Sequence, residues 1–246
     1  MPRFGLTGYP LEISDSPALF KYFFKRDRSE HCSYELFPVK NASSLRESIQ
    51  AIPDLRGFNV TIPHKQNCFK LCDQLSDEAL NTGAVNTVVI QNGQWFGYNT
   101  DVYGFEKSLA SFIPNLYFKA LILGTGGASK AVAHVLNTLG IPFQFVSRKA
   151  GKNSLQYQKL DRKIIESHHL IINTTPLGMK PYADSLPKFP YSFLTPEHYL
   201  FDLVYKPVIT KFLAMGLKRG CHVKNGLQML SLQAQKAWII WKPFAQ

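Results

Sequence analysis

A glycine-rich turn in the middle of the chain has the composition of a phosphate-binding loop. It contains Gly124, Gly126, Gly127 and Ala128, and it follows the apolar residues 120–123. A strand that ends in such a turn and continues as a helix directs backbone N–H groups and the positive end of the helix dipole toward a dinucleotide pyrophosphate. The spacing is G-x-G-G-A rather than G-x-G-x-x-G, so a turn that only connects strand and helix is the alternative.

A basic cluster follows the glycines at about the 20-residue distance at which dinucleotide-binding proteins recognise the ribose. It consists of Ser147, Arg148 and Lys149, with Lys152 nearby, and it follows the apolar residues 141–146. An NAD site has an acidic residue here, whereas the 2′-phosphate of NADP requires cations. Arg148 can stack on the adenine or bind the phosphate through two N–H groups. The cluster predicts NADP, and a solvated basic loop is the alternative.

Alternating strands and helices must position these segments. In the N-terminal part of the chain, strand patterns cover residues 4–7, 33–39 and 57–61. Helices are predicted to begin at Ser16, with Pro17 in the first turn, and at Pro63. Asn92-Gly93 lies between two further strand patterns and predicts a tight hairpin.

We therefore predict an α/β fold with two domains. An α/β domain covers residues 1–101, and a Rossmann-like, doubly wound domain covers residues 102–226. The apolar helix that begins near residue 227 is expected to return to the first domain, so that residues 227–246 complete it.

The composition indicates a globular enzyme rather than a nucleic-acid-binding or membrane protein. The 246 residues are 45% hydrophobic and 18% charged, and the formal net charge is +11. The basic residues are scattered, so the charge fits anionic small ligands better than nucleic acid. The four cysteines form no C-x-x-C pair, and no metal site is predicted. We expect a cytoplasmic protein, because no secretory leader or membrane-length apolar run is present in the sequence.

The ordered set of motifs resembles the shikimate dehydrogenase family from end to end. The motifs are residues 8–10, 14–17, 57–65, 83–87, 97–101 with Gly104, 124–129, 173–179, 202–207, 226–230 and 233–234. The resemblance implies the reversible, NADPH-dependent reduction of 3-dehydroshikimate to shikimate, a step toward chorismate and the aromatic amino acids. It also implies that the first domain binds the substrate and that the second binds NADP.

Lys65 and Asp101 are the predicted catalytic pair. Hydride transfer to a ketone creates an alkoxide, so the site needs a proton donor beside the oxygen. Lys65 is the best candidate, because the dipole of the predicted helix disfavours a cation in its first turn and eases proton release. By the resemblance, Asp101 is its carboxylate partner, and the two pass the proton and bind substrate hydroxyls. A surface lysine and a helix-capping aspartate are the alternatives.

The substrate is a small carboxylate that carries several hydroxyls. Ser14 and Ser16 suit the carboxylate, because they lie beside a predicted helix N-terminus, although Ser16 could merely cap that helix. By the resemblance, the other substrate contacts are Asn59, Thr61, Asn86, Tyr205 and Gln233. The two asparagines could instead bond neighbouring backbone at strand ends.

The resemblance also places Thr174, Gly226 and Met229 near the nicotinamide. A methionine on an apolar helix is ordinarily core filler. The spacing of Gly226, Met229 and Gln233 nevertheless puts the three residues along one helical stripe, which favours a shared functional face.

Two features depart from the family pattern. Ser147 stands where the family's Asn-Arg-Thr begins, and the short segment between Lys149 and His168 predicts a truncated or absent crossover helix. The alternative functions are an NAD-dependent quinate/shikimate dehydrogenase and a catalytically silent NADP-binding regulator. The two serines and the lack of an acidic residue after residue 146 weigh against the first of these. We expect a monomer or a homodimer.

Overall fold

Two six-stranded sheets organise the residues that the structure describes, which are 1–11, 14–149, 151 and 154–245. In this computed structural model the chain forms a first unit, Met1–Gly104 with Ser231–Gln246, and a second unit, Phe105–Leu230. Each unit contains one of the two sheets.

The first unit has a mixed sheet with the strand order β2-β1-β3-β5-β6-β4. Its strands are β1 (Arg3–Gly8), β2 (Ser33–Pro38), β3 (Leu55–Val60), β4 (Gln74–Leu75), β5 (Thr87–Gln91) and β6 (Gln94–Tyr98). The helices of this part of the chain are α1 (Ser16–Arg26), α2 (Leu45–Gln50), α3 (Lys65–Leu71), α4 (Asp77–Thr82) and α5 (Thr100–Ala110), and a short 3-10 helix precedes α2 at Ala42–Ser44. The strand β1 pairs in parallel with β2 and β3, whereas β5 pairs antiparallel with β3 and β6.

Aromatic side chains fill the core on both faces of this sheet. On one face, Phe4 stacks on Trp241 with ring centroids 5.0 Å apart, and Phe20 of α1 joins the same cluster. On the other face, the ring of Phe58 contacts Trp95 edge to face at 5.0 Å. Because successive strand residues point to opposite faces, β5 contributes to both cores, through Val88 and Val89. The polar side chains at the ends of these strands are therefore held on a rigid support.

Gly57 allows the C-terminal part of the chain to pack closely on β3. A Cβ at this position would lie 2.6 Å from Nε1 of Trp241 and 2.7 Å from the carbonyl oxygen of Val88. The same two groups are hydrogen-bonded to each other, because the Trp241 indole donates to the Val88 carbonyl at 2.9 Å. Only a residue without a side chain fits there.

The second unit has an all-parallel sheet with the strand order β12-β11-β10-β7-β8-β9. Its strands are β7 (Ala120–Leu123), β8 (Phe143–Ser147), β9 (Ser154–Gln156), β10 (Leu170–Asn173), β11 (Tyr199–Asp202) and β12 (His222–Lys224). The remaining helices are α6 (Gly127–Thr138), α7 (Arg162–Glu166), α8 (Lys211–Leu217) and α9 (Leu227–Trp241), with 3-10 helices at Tyr157–Lys159, Tyr191–Phe193 and Lys242–Phe244. The helix α5 begins in the first unit and ends in the second, and α9 begins in the second and ends in the first.

The strand order of the second sheet creates a topological switch point. Numbered within the unit, the order is 3-2-1-4-5-6, which is that of dinucleotide-binding folds. The chain leaves β7 toward β8 on one side, and it later returns to β10 on the other side of β7. Ligands of open parallel sheets bind at such a point, beyond the carboxyl ends of the strands. The glycine-rich turn after β7 lies there.

The link between β8 and β9 is unusually short for two parallel strands. Residues 148–153 join them, and no helix lies between them in the described part of this link. Parallel neighbours ordinarily need a crossover of a dozen or more residues. A cavity of about 760 Å³ lies beside the link, lined among others by Lys119, Phe143 and His168. Because these residues lie near the amino ends of β7, β8 and β10, this cavity is remote from the glycine-rich turn.

The structure confirms the α/β fold with a Rossmann-like domain and corrects some local predictions. The hairpin at Asn92-Gly93 is confirmed, with φ angles of 52° and 76° between β5 and β6. The expected shortening of the crossover after Lys149 is confirmed in the described residues. The predicted helix start at Pro63 is wrong, because α3 begins at Lys65.

Within the described residues, no helix combines the length and the apolar character that a membrane span requires. In the same residues no group of three or more His, Cys, Asp or Glu side chains is arranged to hold a metal ion. Cys32, Cys68, Cys72 and Cys221 are free thiols.

We predict that Gly57→Ala lowers the free energy of unfolding by about 1–3 kcal/mol, because the added methyl group overpacks the contact between Trp241 and Val88. Urea unfolding followed by fluorescence measures the change. Gly126→Ala is the control, since a Cβ at Gly126 meets no atom within 4 Å. We expect the control to lose less than about 1 kcal/mol, the usual cost of alanine at a helix N-cap. Equal losses in the two variants would contradict the packing argument.

Candidate active site

Lys65 and Asp101 form a shielded ion pair in the first unit. Lys65 is the first residue of α3, and its Nζ lies 2.6 Å from Oδ2 of Asp101 in the first turn of α5. The two side chains are only 17% and 8% exposed. Asn99 accepts the backbone N–H of Asp101 through its side-chain oxygen, so Asn99 takes the capping role at the start of α5. The predicted pair is thus brought together, and the carboxylate of Asp101 points to Lys65 instead of capping its own helix.

Asn86 connects this ion pair to the surrounding polar side chains. Its Nδ2 group lies 2.9 Å from Oδ1 of Asp101 and 3.0 Å from Oγ1 of Thr100. Its Oδ1 accepts the backbone N–H of Thr100 at 2.7 Å. Gln233 also approaches Asn86, with Oε1 at 3.4 Å from Nδ2. Each oxygen of the Asp101 carboxylate therefore has its own donor, from Asn86 or from Lys65.

The amide group of Asn59 is largely engaged by its neighbours. Its Nδ2 donates to the carbonyl oxygen of Asn86 at 3.2 Å and to Oγ1 of Thr87 at 3.0 Å, and its Oδ1 accepts the Tyr34 hydroxyl at 2.9 Å. Thr87 in turn donates to Oδ1 of Asn86 at 3.1 Å. A second lone pair on Oδ1 of Asn59 is the capacity that remains for a ligand hydroxyl. The alternative interpretation, that Asn59 bonds its neighbours, is therefore partly correct.

Ser14 and Ser16 lie at the start of α1. The Ser14 hydroxyl oxygen accepts the backbone N–H of Ser16 at 3.3 Å. Ser16 is the first residue of the helix, and Asp15 occupies the capping position without a side-chain cap bond. The Ser16 side chain lies beside the phenol of Tyr34 and acts on its pKa. The two serines therefore lie next to the side chains around Asn59.

Several of the predicted site residues belong to one hydrogen-bonded network, which we call the polar network. Its predicted members are Asn59, Lys65, Asn86, Asp101 and Gln233. Ser14 and Ser16 lie beside the network at the start of α1. Tyr34, Thr87 and Thr100 also belong to it and were not predicted as site residues. Thr61 lies just beyond β3 and is half-buried, with its backbone N–H bonded to the carbonyl of Thr7. Tyr205 lies in the second unit, after β11.

The residues that the prediction missed differ in how visible they are in the sequence. Thr87 and Thr100 stand inside the motifs at residues 83–87 and 97–101, so attention to every polar residue of those motifs would have found them. Tyr34 lies outside all of the motifs, and only its place on β2 beside α1 brings it to the network.

The glycine-rich turn of the second unit is shaped to receive a phosphate. Gly124 has a φ of 112°, and a Cβ there would lie 2.8 Å from Oγ1 of Thr174. The Thr174 hydroxyl is fixed in that place because it donates to the carbonyl of Leu123 at 2.8 Å. Gly126 is the N-cap residue of α6. Because glycine has no side chain that could cap the helix, the space around its Cα is open. The first N–H groups of α6 can therefore bind an anion, with Gly127 and Ala128 in that first turn.

The basic cluster lies at the carboxyl end of β8. Arg148 and Lys149 are exposed, whereas the Ser147 hydroxyl donates to the carbonyl of Lys149 and lies 3.3 Å from the Ser154 hydroxyl. Ser147 thus shapes the loop, and the two cations are presented to solvent. Lys152 lies outside the described residues.

Gly226 and Met229 have packing roles in the second unit. A Cβ on Gly226 would lie 2.1 Å from the carbonyl oxygen of Leu203, and the Gly226 N–H donates to Val204 at 3.1 Å. The start of α9 therefore lies directly on the backbone that follows β11. Met229 is 7% exposed and thus fits the core-filler alternative as well as a contact with a ligand.

A buried aspartate organises the carboxyl ends of β10 and β11. Asp202 accepts hydrogen bonds from Asn173 at 2.9 Å, from the Val204 N–H at 3.0 Å and from the Thr210 hydroxyl at 2.6 Å. Asn173 also accepts the hydroxyl and the N–H of Thr175. Burial raises the pKa of the Asp202 carboxyl to about 6, although its three hydrogen bonds oppose the shift. These bonds fix the loops after β10 and β11, beside the glycine-rich turn.

The chain is similar to known proteins over nearly its whole length. Residues 6–88 match the family model of the shikimate dehydrogenase substrate binding domain. The shikimate dehydrogenase (NADP(+)) of Desulforamulus reducens is 36% identical over 266 aligned residues, which cover 98% of this chain and 89% of that protein. The crystal structure of shikimate dehydrogenase 1 from Peptoclostridium difficile has a TM-score of 0.88 at 34% identity, and covers 99% and 92% of the two chains. That of Thermus thermophilus shikimate 5-dehydrogenase, in complex with NADP(H) and shikimate, has a TM-score of 0.84 at 31% identity, covering 99% and 94%.

We predict that Asp202→Asn removes part of the pH dependence of stability. The folded-state pKa of about 6 lies above the usual value of an unfolded chain, so the stabilising effect of the protonated form is present below about pH 4 and is lost as the pH rises through 6. As the pH rises from about 4 to above 6, this group alone should lower the free energy of unfolding of the wild type by on the order of 3 kcal/mol. Urea unfolding at several pH values tests this, and parallel curves for the two proteins would refute it.

Proposed function

The chain belongs to the shikimate dehydrogenase family, and on that premise we propose that it catalyses the reversible, NADPH-dependent reduction of 3-dehydroshikimate to shikimate, a step of aromatic amino acid biosynthesis. The observation that carries the proposal is the shielded pair of Lys65 and Asp101, 2.6 Å apart inside the polar network. This pair is the arrangement that a carbonyl reduction requires, since a proton must reach the oxygen as it becomes an alkoxide.

Lys65 is the proton donor of the proposed reaction. Its ammonium has three N–H donors, and one of them is directed to Oδ2 of Asp101. A second donor binds the carbonyl oxygen of the substrate and transfers its proton as negative charge develops there. Asp101 holds the ammonium in place, and its other oxygen accepts a hydrogen bond from Asn86. The same carboxylate accepts a hydrogen bond from a substrate hydroxyl. In the reverse direction Lys65 takes up the proton from the hydroxyl that is oxidised.

The rest of the polar network and the two serines beside it bind and orient the substrate. Ser14 and Ser16, at the start of α1, donate hydrogen bonds from their hydroxyls to the substrate carboxylate, whose negative charge the helix N-terminus also favours. Asn59, Thr61, Asn86 and Gln233 bind the ring hydroxyls, because amide and hydroxyl groups can both donate and accept. By the resemblance to the family, Tyr205 is a further substrate contact.

NADP fits the residues of the second unit. When bound, NADPH supplies the hydride that reduces the ketone. The open first turn of α6, with Gly124, Gly126, Gly127 and Ala128, receives the pyrophosphate. Arg148 and Lys149 bind the 2′-phosphate, and Ser147 holds their loop. Thr174, Gly226 and Met229 line the nicotinamide. The relatives named as NADP(+)-dependent support this assignment.

We further propose that residues 1–101, completed by residues 227–246, form the substrate-binding domain and that residues 102–226 form the NADP-binding domain. The two units, each with its own sheet, support this division. The protein works in the cytoplasm as a monomer or homodimer. Its four free thiols are typical of a reducing compartment.

We predict that Lys65→Ala lowers kcat by about 10²- to 10⁴-fold, the contribution of a positioned acid or base. The assay follows NADPH absorbance with shikimate or quinate, each combined with NADP or NAD. Lys70→Ala, an exposed lysine of the same helix, is the matched control and should retain wild-type turnover. Near-normal turnover of Lys65→Ala would remove this lysine from the mechanism. Wild-type activity on quinate with NAD alone would replace the proposed substrate and cofactor.

We predict that Arg148→Ala raises KM for NADP by about 10- to 100-fold and leaves KM for NAD within about twofold. The loss corresponds to a charge-assisted hydrogen bond to a phosphate that NAD lacks. Arg162→Ala, an exposed arginine of the same unit, is the control. An equal change for both cofactors would show that Arg148 does not recognise the 2′-phosphate.

A further inference from the structure

Tyr34 occupies a special place between α1 and the first sheet. It lies on β2, and its ring stacks on Phe20 of α1 with centroids 4.2 Å apart and planes within 7°. The ring also approaches Trp241 at 6.3 Å. Burial raises the pKa of its phenol, so the hydroxyl stays neutral and acts as a hydrogen-bonding group. The ring thus belongs to the aromatic core, while the hydroxyl belongs to the polar network.

The hydroxyl of Tyr34 bonds a residue that is distant in sequence. It donates to Oδ1 of Asn59 at 2.9 Å. A phenol has one proton to donate, so this proton is committed to Asn59. Ser16 also lies beside the phenol and acts on its pKa. One buried hydroxyl therefore holds an amide that is proposed to bind a ring hydroxyl of the substrate.

This arrangement determines which way the Asn59 amide faces. Both N–H groups of the amide are directed to the other side, to the Asn86 carbonyl and to Oγ1 of Thr87. The donor of Tyr34 matches the remaining acceptor, so a flipped amide would place two donors against each other. The free lone pair of Oδ1 consequently keeps a fixed direction toward a bound ligand.

We propose that Tyr34 is a positioning residue of the substrate site, which holds Asn59 in the orientation that binds a ring hydroxyl. The proposal rests on the proposed function. Tyr34 makes no contact with Lys65 or Asp101 among the interactions described above. Its effect should therefore fall on substrate binding and not on proton transfer.

Tyr34→Phe tests this, because it removes the hydroxyl and retains the ring that packs on Phe20. We expect KM for shikimate to rise about tenfold, as for the loss of one or two hydrogen bonds. We expect kcat and KM for NADP to change less than threefold. Tyr191→Phe is the matched control, since the Tyr191 hydroxyl also makes one buried bond, to the Pro187 carbonyl at 2.9 Å, but in the second unit. The control should keep the wild-type KM for shikimate.

A double-mutant cycle separates a positioning role from an independent contact. If Tyr34 acts through Asn59, the KM increase of Tyr34→Phe should shrink in an Asn59→Ala background, whereas independent contacts would multiply. Three results would each overturn the proposal. They are effects on KM that multiply, an unchanged KM in the single variant, and a Tyr34→Phe protein that does not fold. A wild-type protein that does not oxidise shikimate would overturn the proposed function itself, which distinguishes the two failures.

Discussion

The Asp101 carboxylate is the acceptor on which the polar network of the first unit depends. Hydrogen bonds along the network run in one direction: Asn59 donates to Thr87, Thr87 donates to Asn86, and Asn86 donates to Asp101. Lys65 donates to the other oxygen of the same carboxylate. A shielded ion pair of this kind is weak evidence for stability, because desolvation of both charges can cost more than their attraction returns. The arrangement is explained by the chemistry that we propose: the proton donor and its partner carboxylate are held in one geometry by side chains that are each hydrogen-bonded to a neighbour.

The second unit binds its ligand by a different physical principle. Its glycine-rich turn has almost no side chains, and its contribution is backbone direction, the helix dipole and open space at Gly126. Thr174 and the network around Asp202 fix the loops on either side of that turn. In the proposed function, recognition of the cofactor beyond the pyrophosphate depends on exposed cations at the end of β8, where solvent and salt weaken each contact. On that proposal, substrate recognition depends on fixed hydrogen bonds, whereas cofactor preference depends mainly on charge.

The sequence allowed the fold class and the hairpin to be predicted from local patterns, and the pairing of Lys65 with Asp101 from the resemblance to the family. It could not show where α3 begins, since proline at a first helical position is a favourable pattern and only the bond from His64 to the Thr61 carbonyl reveals that a turn precedes the helix. It also could not show Tyr34. That side chain reaches Ser16 and Asn59 only because β2 and β3 flank β1 and α1 packs over them, and no spacing along the chain encodes this. For the same reason the engagement of Asn59 by its neighbours was only one of two open interpretations.

The direction of the polar network also explains why buried polar groups are compatible with binding a substrate rich in hydroxyls. Lys65 uses one of three N–H donors within the network, and Asn59 retains a lone pair on Oδ1, so both donors and acceptors remain for a ligand. Their directions are fixed before binding, because each parent group is held by at least one other partner. When charge develops on a substrate oxygen, the surrounding dipoles do not have to reorient, and the reorganisation that water would require is avoided. The desolvation of these groups, which is unfavourable for folding, is thus the same property that serves the proton transfer that we propose.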